Sequence, residues 1–208
     1  MRTIIFATGN PGKLIEIREI LRPLSVTVLS MSDAGISCDI NENGKTFAEN
    51  AMIKASTIAK ILPDSYRDAI VMADDSGLEV DAMDKLPGVF SARWMGRDTS
   101  YRIKNAKILE NLKDVPVSKR TARFVCAIAA VLPDGRALET QGVIEGKIGY
   151  EERGANGFGY DPIFMIPDMS RSTAELSPEE KNRISHRGKA LRNMERLLRE
   201  ELGLNTES

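Results

Sequence analysis

Ile4-Ile5-Phe6-Ala7-Thr8-Gly9-Asn10-Pro11-Gly12-Lys13 is the stretch that decides the architecture. Its four apolar residues read as a short buried strand, and the turn-forming cluster from Thr8 to Gly12 ends it. Leu14, Ile17, Ile20 and Leu21 then fall on one helical face, and Pro23 closes the pattern. The same geometry leaves free backbone amides at a helix N-terminus, which suits an anion. Thr8 and Asn10 add side-chain donors, and Lys13 adds a mobile positive charge fit for phosphate. A plain strand-to-helix turn with a surface lysine explains these residues equally well when they are taken alone. A P-loop is excluded, because Gly9 lies too close to Gly12-Lys13 and Leu14 stands where a hydroxyl is required.

Working outward, Val26 to Leu29 reads as a second strand. Thr46-Phe47-Ala48-Glu49 has capping-box spacing, and Ala48, Ala51, Met52, Ala55, Ala59 and Leu62 form the stripe of a helix that Pro63 stops. Asn50 and Lys54, four apart, share its other side. Ala69 to Ala73 is a third apolar strand that delivers Asp74-Asp75-Ser76-Gly77 at its end. A helix over Thr99 to Leu112 is expected to turn Ile103, Ala106, Leu109 and Leu112 inward. Pro133-Asp134-Gly135-Arg136 joins two strands as a hairpin, Phe124 to Leu132 and Ala137 to Ile148. A glycine-rich loop from Gly149 to Gly159 follows. Ser177-Pro178 starts another helix, and the last helix puts Leu191, Met194, Leu198 and Leu202 on one face before Gly203. Strand-helix-strand units followed by a hairpin predict an α/β fold with a mixed central sheet flanked by helices.

Residues 1–208 are read as one domain, since this length suffices for a core without disulfides or metal staples. Lys and Arg number 29 against 30 Asp and Glu, which removes the basic footprint of a nucleic-acid-binding chain and points to a small, locally held anion. Cys38 and Cys126 have no metal-ligand spacing and are expected to be buried thiols in a reducing compartment. The longest apolar run, Phe124 to Leu132, is about half of the ~18 residues that would suggest a membrane span. The N-terminus lacks the apolar core of a signal peptide, so a cytoplasmic protein is expected.

Four segments carry chemistry. Beside the anion turn, Asp74 and Asp75 are adjacent carboxylates that repel each other unless a cation intervenes, and a hard ion such as Mg²⁺ satisfies them. An Asx turn or a helix cap is the bland alternative. Glu42 is a candidate third oxygen ligand and also an ordinary loop acid; Lys54 is a candidate site cation and also an ordinary surface lysine. Phe158-Gly159-Tyr160-Asp161 offers close backbone approach and an aromatic ring for a base, and its rings fit a core equally well. Lys181 and Ser185-His186-Arg187 offer donors for a base edge or phosphate, although a lone histidine is more often structural.

In this order the segments resemble the inosine triphosphatase family, pyrophosphatases that remove deaminated purine nucleoside triphosphates. The matching stretches are Thr8-Gly9-Asn10-Pro11-Gly12-Lys13, Thr46-Phe47-x-Glu49-Asn50-Ala51 with Lys54-Ala55, and Ala73-Asp74-Asp75-Ser76-Gly77-Leu78. Pro87-Gly88-x-x-Ser91-Ala92-Arg93, Gly157 to Phe164 and Ser185-His186-Arg187 complete the set. The resemblance implies two lobes around a nucleotide-binding cleft, a homodimer, Mg²⁺, and hydrolysis of ITP, dITP and XTP to the monophosphate and pyrophosphate. By carry-over, Thr8, Gly9, Asn10, Pro11, Gly12 and Lys13 grip the triphosphate and Ser76 contacts substrate. Asp75 is the base, with Lys13 and Lys54 as catalytic cations, and Glu42, Asp74 and Asp75 hold the metal. Phe158, Gly159, Tyr160, Asp161, Lys181, His186 and Arg187 hold base and sugar. A pyrimidine-preferring pyrophosphatase and a non-catalytic nucleotide sensor are the competing readings.

Overall fold

The computed structural model describes residues 2–8, 11–168 and 170–203. Gly9 and Asn10 of the anion turn lie outside them. Six strands form one mixed sheet in the order β2-β1-β3-β4-β5-β6. β1 (Thr3–Phe6) runs parallel to β2 (Thr27–Ser30) and to β3 (Ile70–Val80), with Ile4 opposite both Val28 and Ile70. Parallel neighbours need crossover connections, and these are α1 (Pro11–Leu21) and α2 (Phe47–Ala59). β4 (Thr121–Val131) and β5 (Ala137–Ile148) follow, and β5 pairs antiparallel with the short β6 (Phe164–Met165). The hairpin turn closes through Arg136 O, which accepts from Leu132 N at 2.8 Å.

The chain divides into two compact units. Met1–Asp75, Cys126–Gly142 and Arg187–Ser208 form the first, and Ser76–Val125 with Val143–His186 the second.

In the first unit, strand residues of even number face one cluster: Ile4 and Phe6, Ile70 and Met72, Cys126, Ile128 and Ala130. Leu14, Ile17 and Leu21 of α1 and Leu191, Met194 and Leu198 of α5 (His186–Glu201) cover that face. The odd-numbered Ile5, Val71 and Ala73 are equally inaccessible, and Ala51, Ala55 and Ile58 of α2 are fully buried. Period-two strands between period-3.6 helices account for both layers. Thr46 caps α2 by accepting from Glu49 N at 3.1 Å. The reciprocal half of the expected box is displaced by one residue, since Glu49 accepts from Lys45 N at 2.6 Å.

The second unit packs Leu78, Val80, Phe124, Ile144 and Ile148 against Ile108 of α3 (Tyr101–Asn111), against Leu112 that caps its C-terminus, and against Tyr160, Ile163 and Phe164. α4 (Pro178–Ile184) starts at Ser177 with a complete capping box and proline in its first turn.

Three expectations are corrected. β3 does not stop at Ala73 but runs on to Val80, because Leu78 and Val80 are buried in the second core, so the acidic pair lies within the strand. α3 buries Lys104, Asn105, Ile108 and Leu112, whereas Ile103 is 54% exposed and Ala106 is exposed. Its polar side faces in because Lys104 Nζ donates to Ala92 O at 2.8 Å and Asn105 Nδ2 to Gly159 O at 3.3 Å. Cys38 is only half-buried, while Cys126 is buried as expected; both are free thiols. Among the described residues no helix is long and apolar enough to cross a membrane.

Two neighbours in α1 give a test of the packing. Ile17 is fully buried and Ile15 is 68% exposed. Ile17→Ala should cost about 2–5 kcal/mol in denaturant unfolding, and Ile15→Ala less than about 0.5 kcal/mol.

Candidate active site

Successive side chains of a strand point to opposite faces, and β3 places Asp74 and Asp75 accordingly. Asp74 turns toward α1 and α5. It is 2% exposed, and Lys13 Nζ bonds both of its oxygens at 3.0 and 2.8 Å. Arg187 Nε lies 3.4 Å from Oδ2, and its other end reaches Glu16 Oε2 at 3.2 Å. Burial pushes the Asp74 carboxyl up, but Lys13, Arg187 and Lys54 outweigh it and hold the group well below the usual carboxylate range. Burial likewise opposes the Arg187 charge, and Asp74 and Glu16 more than restore it.

Asp75 turns to the α2 face. Its Oδ1 meets Lys54 Nζ at 3.2 Å and its Oδ2 accepts from Asn50 Nδ2 at 3.0 Å. Lys54 also reaches Glu42 Oε2 at 3.3 Å, so one ammonium is shared by two carboxylates. Here burial dominates: it raises the Asp75 pKa, Lys54 and Asn50 offset part of the rise, and the Glu42 charge adds to it. Lys54 is pushed down by burial and up, in net, by Asp75, Asp74 and Glu42.

Each carboxylate thus pairs with its own lysine, Asp74 with Lys13 and Asp75 with Lys54. Among the described residues no three His, Cys, Asp or Glu side chains gather into a metal cage. Mg²⁺ does not need one, because it keeps several waters and takes one or two carboxylates plus substrate phosphates. Glu42 and Asp75 fit that demand: both are hard oxygen donors, and a cationic group already lies within 3.3 Å of each.

The turn that leads to Lys13 keeps Ala7 N on Met72 O at 2.7 Å and Thr8 N on Phe6 O at 2.8 Å, so β1 stays paired up to the turn. Pro11 and Gly12 open α1, and Ser76 follows Asp75 half-buried in β3.

In the second unit, the Phe158–Asp161 segment is pinned from within. Asp161, buried, accepts from Lys181 Nζ at 2.6 Å, Phe158 N at 2.8 Å and Thr173 Oγ1 at 2.9 Å. Gly157 takes φ +76°, and a β-carbon there would fall 2.3 Å from Asp161 Oδ2, so glycine is required. Tyr160 is buried, donates to Ser91 O at 2.8 Å, and meets the Tyr101 ring edge-on at 5.1 Å. Burial raises its hydroxyl pKa. Phe158 is 52% exposed, with Lys181 Nζ 5.0 Å from its ring centroid, which leaves an aromatic face and a cation side by side. His186 is buried and stacks on Phe124 at 4.9 Å, a packing role in this structure.

The expected site residues thus fall into three groups: Lys13, Asp74 and Arg187; Glu42, Lys54 and Asp75; and Phe158 to Asp161 with Lys181. Arg187 belongs with the buried acid rather than presenting an open donor edge. Sequence reasoning missed Glu16 and gave Asn50 no role. The signals were present, as Glu16 follows Lys13 by three positions and Asn50 precedes Lys54 by four.

A mixed α/β sheet whose third strand carries paired acids, each met by a lysine from a helix, suits a phosphate-handling class of site, and comparison with known proteins gives the family. Residues 4–197 match the Ham1 family, and the chain belongs to it. It is 47% identical over 200 residues to the dITP/XTP pyrophosphatase of Exiguobacterium sibiricum, covering 96% of this chain and 98% of that one. A solved HAM1 protein from Coxiella burnetii superposes with a TM-score of 0.86 at 42% identity, over 96% of this chain and all of that one. The Ham1 protein of Staphylococcus aureus gives the same TM-score at 37% identity, again over 96% of this chain and all of that one.

The two aspartates should separate in stability. A carboxyl with a lowered folded pKa stabilises above its unfolded value, and that contribution is lost as pH falls through the folded value. This is Asp74. Asp75 has the opposite sign: its contribution is present at low pH and is lost as pH rises through its raised folded pKa, so at neutral pH its charge opposes folding. In metal-free thermal melts at pH 7, Asp74→Asn should lose about 3–5 kcal/mol, because it strands the Lys13 and Arg187 charges. Asp75→Asn should melt at the wild-type temperature or above.

Proposed function

We propose that this chain is a Mg²⁺-dependent nucleoside triphosphate pyrophosphatase that converts ITP, dITP and XTP to the monophosphate and pyrophosphate. The observation that carries the reading is the α2-face cluster: partly buried Asp75, held by Asn50 and sharing Lys54 with Glu42. The 47% identical relative named a dITP/XTP pyrophosphatase supports the substrate class.

Glu42 and Asp75 would hold the ion, which when bound neutralises phosphate charge and makes a water more acidic. Asp75, oriented by Asn50 and Lys54, takes the proton of the attacking water. Lys54, anchored between the two acids, places a fixed positive charge beside the reacting oxygens. Lys13 exchanges Asp74 for a phosphate oxygen, and Arg187 stays behind to keep Asp74 satisfied. Thr8 and the amides opening α1 add neutral donors for the polyphosphate. In the second unit, the exposed Phe158 ring offers a stacking face and Lys181 a donor suited to a 6-keto oxygen. A 6-amino purine would leave such a donor unpaired. A cytoplasmic homodimer belongs to the same reading, and the exposed apolar side chains of Leu86, Phe90 and Met95 support an assembling surface.

Incubation with ITP, dITP, XTP, ATP, UTP and dUTP, followed by product separation, tests this. IMP plus pyrophosphate from ITP is expected, ATP and the pyrimidines should be poor substrates, and chelation of Mg²⁺ should abolish turnover. IDP plus phosphate, or a preference for dUTP, would overturn the proposal. Asp75→Asn should lower kcat by roughly 10²–10⁴-fold.

A further inference from the structure

Asn50 is completely inaccessible to solvent, and its side-chain amide is engaged at both ends. Oδ1 accepts from the backbone N–H of Gly44 at 2.8 Å, and Nδ2 donates to Asp75 Oδ2 at 3.0 Å. The first bond dictates the second. An amide turned end for end would set NH₂ against an N–H and oxygen against a carboxylate, so the donor end must face Asp75. Asn50 N donates to Thr46 O at 3.1 Å, which roots the residue in the opening turn of α2.

Gly44 lies two residues beyond Glu42. A β-carbon there would stand 2.7 Å from Asn50 Oδ1 and 2.9 Å from Asn50 N, so the close approach of this loop to the helix is open only to glycine. Asn50 therefore contacts Asp75 with one atom and, with another, the loop that carries Glu42. Those are the two acids that share Lys54.

We infer that Asn50 is a positioning residue for the proposed hydrolysis: its one amide sets the carboxylate plane of Asp75 and, through Gly44, the reach of the Glu42 loop. The inference rests on the reading of the site given above. With Asn50 on Oδ2 and Lys54 on Oδ1, the Asp75 carboxylate is held at both oxygens. Without the amide it is free to rotate about its Cβ–Cγ bond and close on Lys54 with both oxygens. The attacking water then loses its oriented acceptor, a misplacement on the order of 1 Å that costs about 10²-fold in rate.

N50D tests this at constant shape. It keeps an acceptor for Gly44 N–H but replaces the donor facing Asp75 with oxygen. With ITP and Mg²⁺, kcat should fall roughly 30- to 100-fold while KM for ITP stays within about threefold. In metal-free buffer, the N50D/D75N double variant restores a carboxylate–amide pair of reversed polarity and should melt above N50D by more than D75N melts above wild type. That comparison still decides the matter if N50D folds poorly. A kcat within about threefold of wild type overturns the inference. So does a double variant whose gain over N50D is no larger than the gain of D75N over wild type. Wild-type protein that releases no pyrophosphate from any nucleotide would instead remove the proposed function, and the melting comparison would still judge the Asn50–Asp75 pairing.

Discussion

The alternation of side chains along β3 sends two neighbouring carboxylates into different surroundings, and most of the site's character follows from that division. Asp74 enters the side covered by α1 and α5, beside an apolar cluster where an unpaired charge would be prohibitive. Lys13 and Arg187 answer it from two helices, and the Asp74 carboxyl is kept ionised far below its ordinary range. Asp75 meets a neutral amide and one shared ammonium, a weaker set, so burial prevails and the group becomes more basic. Two identical side chains are driven apart in proton affinity by environment alone, the usual mark of divided labour in a site.

The second unit handles buried charge differently. Lys104 and Arg120 are almost wholly inaccessible, yet their hydrogen bonds go to backbone carbonyls rather than carboxylates. Arg120 donates to Ile148 O at 2.9 Å and also bonds Leu112 O and Gly149 O, and it lies 4.3 Å from the Tyr150 ring centroid. It thus joins the end of α3 to the start of the glycine-rich loop. Burial lowers the pKa of both cations. At the far end of that loop Asp161 is turned inward to Lys181 and Thr173, which leaves Phe158 as its outward-facing aromatic. The loop is held by polar bonds at its ends and by an inward acid at its tip.

Much of the architecture was legible from local pattern. The first strand, the turn into α1, the Thr46 cap, the hairpin at Pro133-Asp134-Gly135-Arg136 and the apolar stripe of α5 all follow from spacing and turn chemistry, which act over a few residues. The inward face of α3 was misread because Ile103 and Ala106 have the apolar character of core residues while Lys104 and Asn105 do not. Hydrophobic periodicity cannot register that a distant carbonyl, Ala92 O or Gly159 O, will satisfy a buried donor. The same blindness hid Asn50, whose value lies entirely in Gly44 and Asp75.

By itself the sequence determined which residue types were available and the order in which they come: a strand-turn-helix ending on Lys13, an acid pair after an apolar strand, and a glycine-rich loop ending in Phe158-Gly159-Tyr160-Asp161. It did not determine that the strand continues through residues 74 and 75, which is what sends the two acids to opposite faces. Only the tertiary structure decided which acid meets which base, that Arg187 serves Asp74, and that Glu42 and Asp75 share Lys54. The reason is physical: ion pairing and desolvation depend on separations of a few ångströms between residues as many as 171 positions apart, and no local pattern encodes such distances.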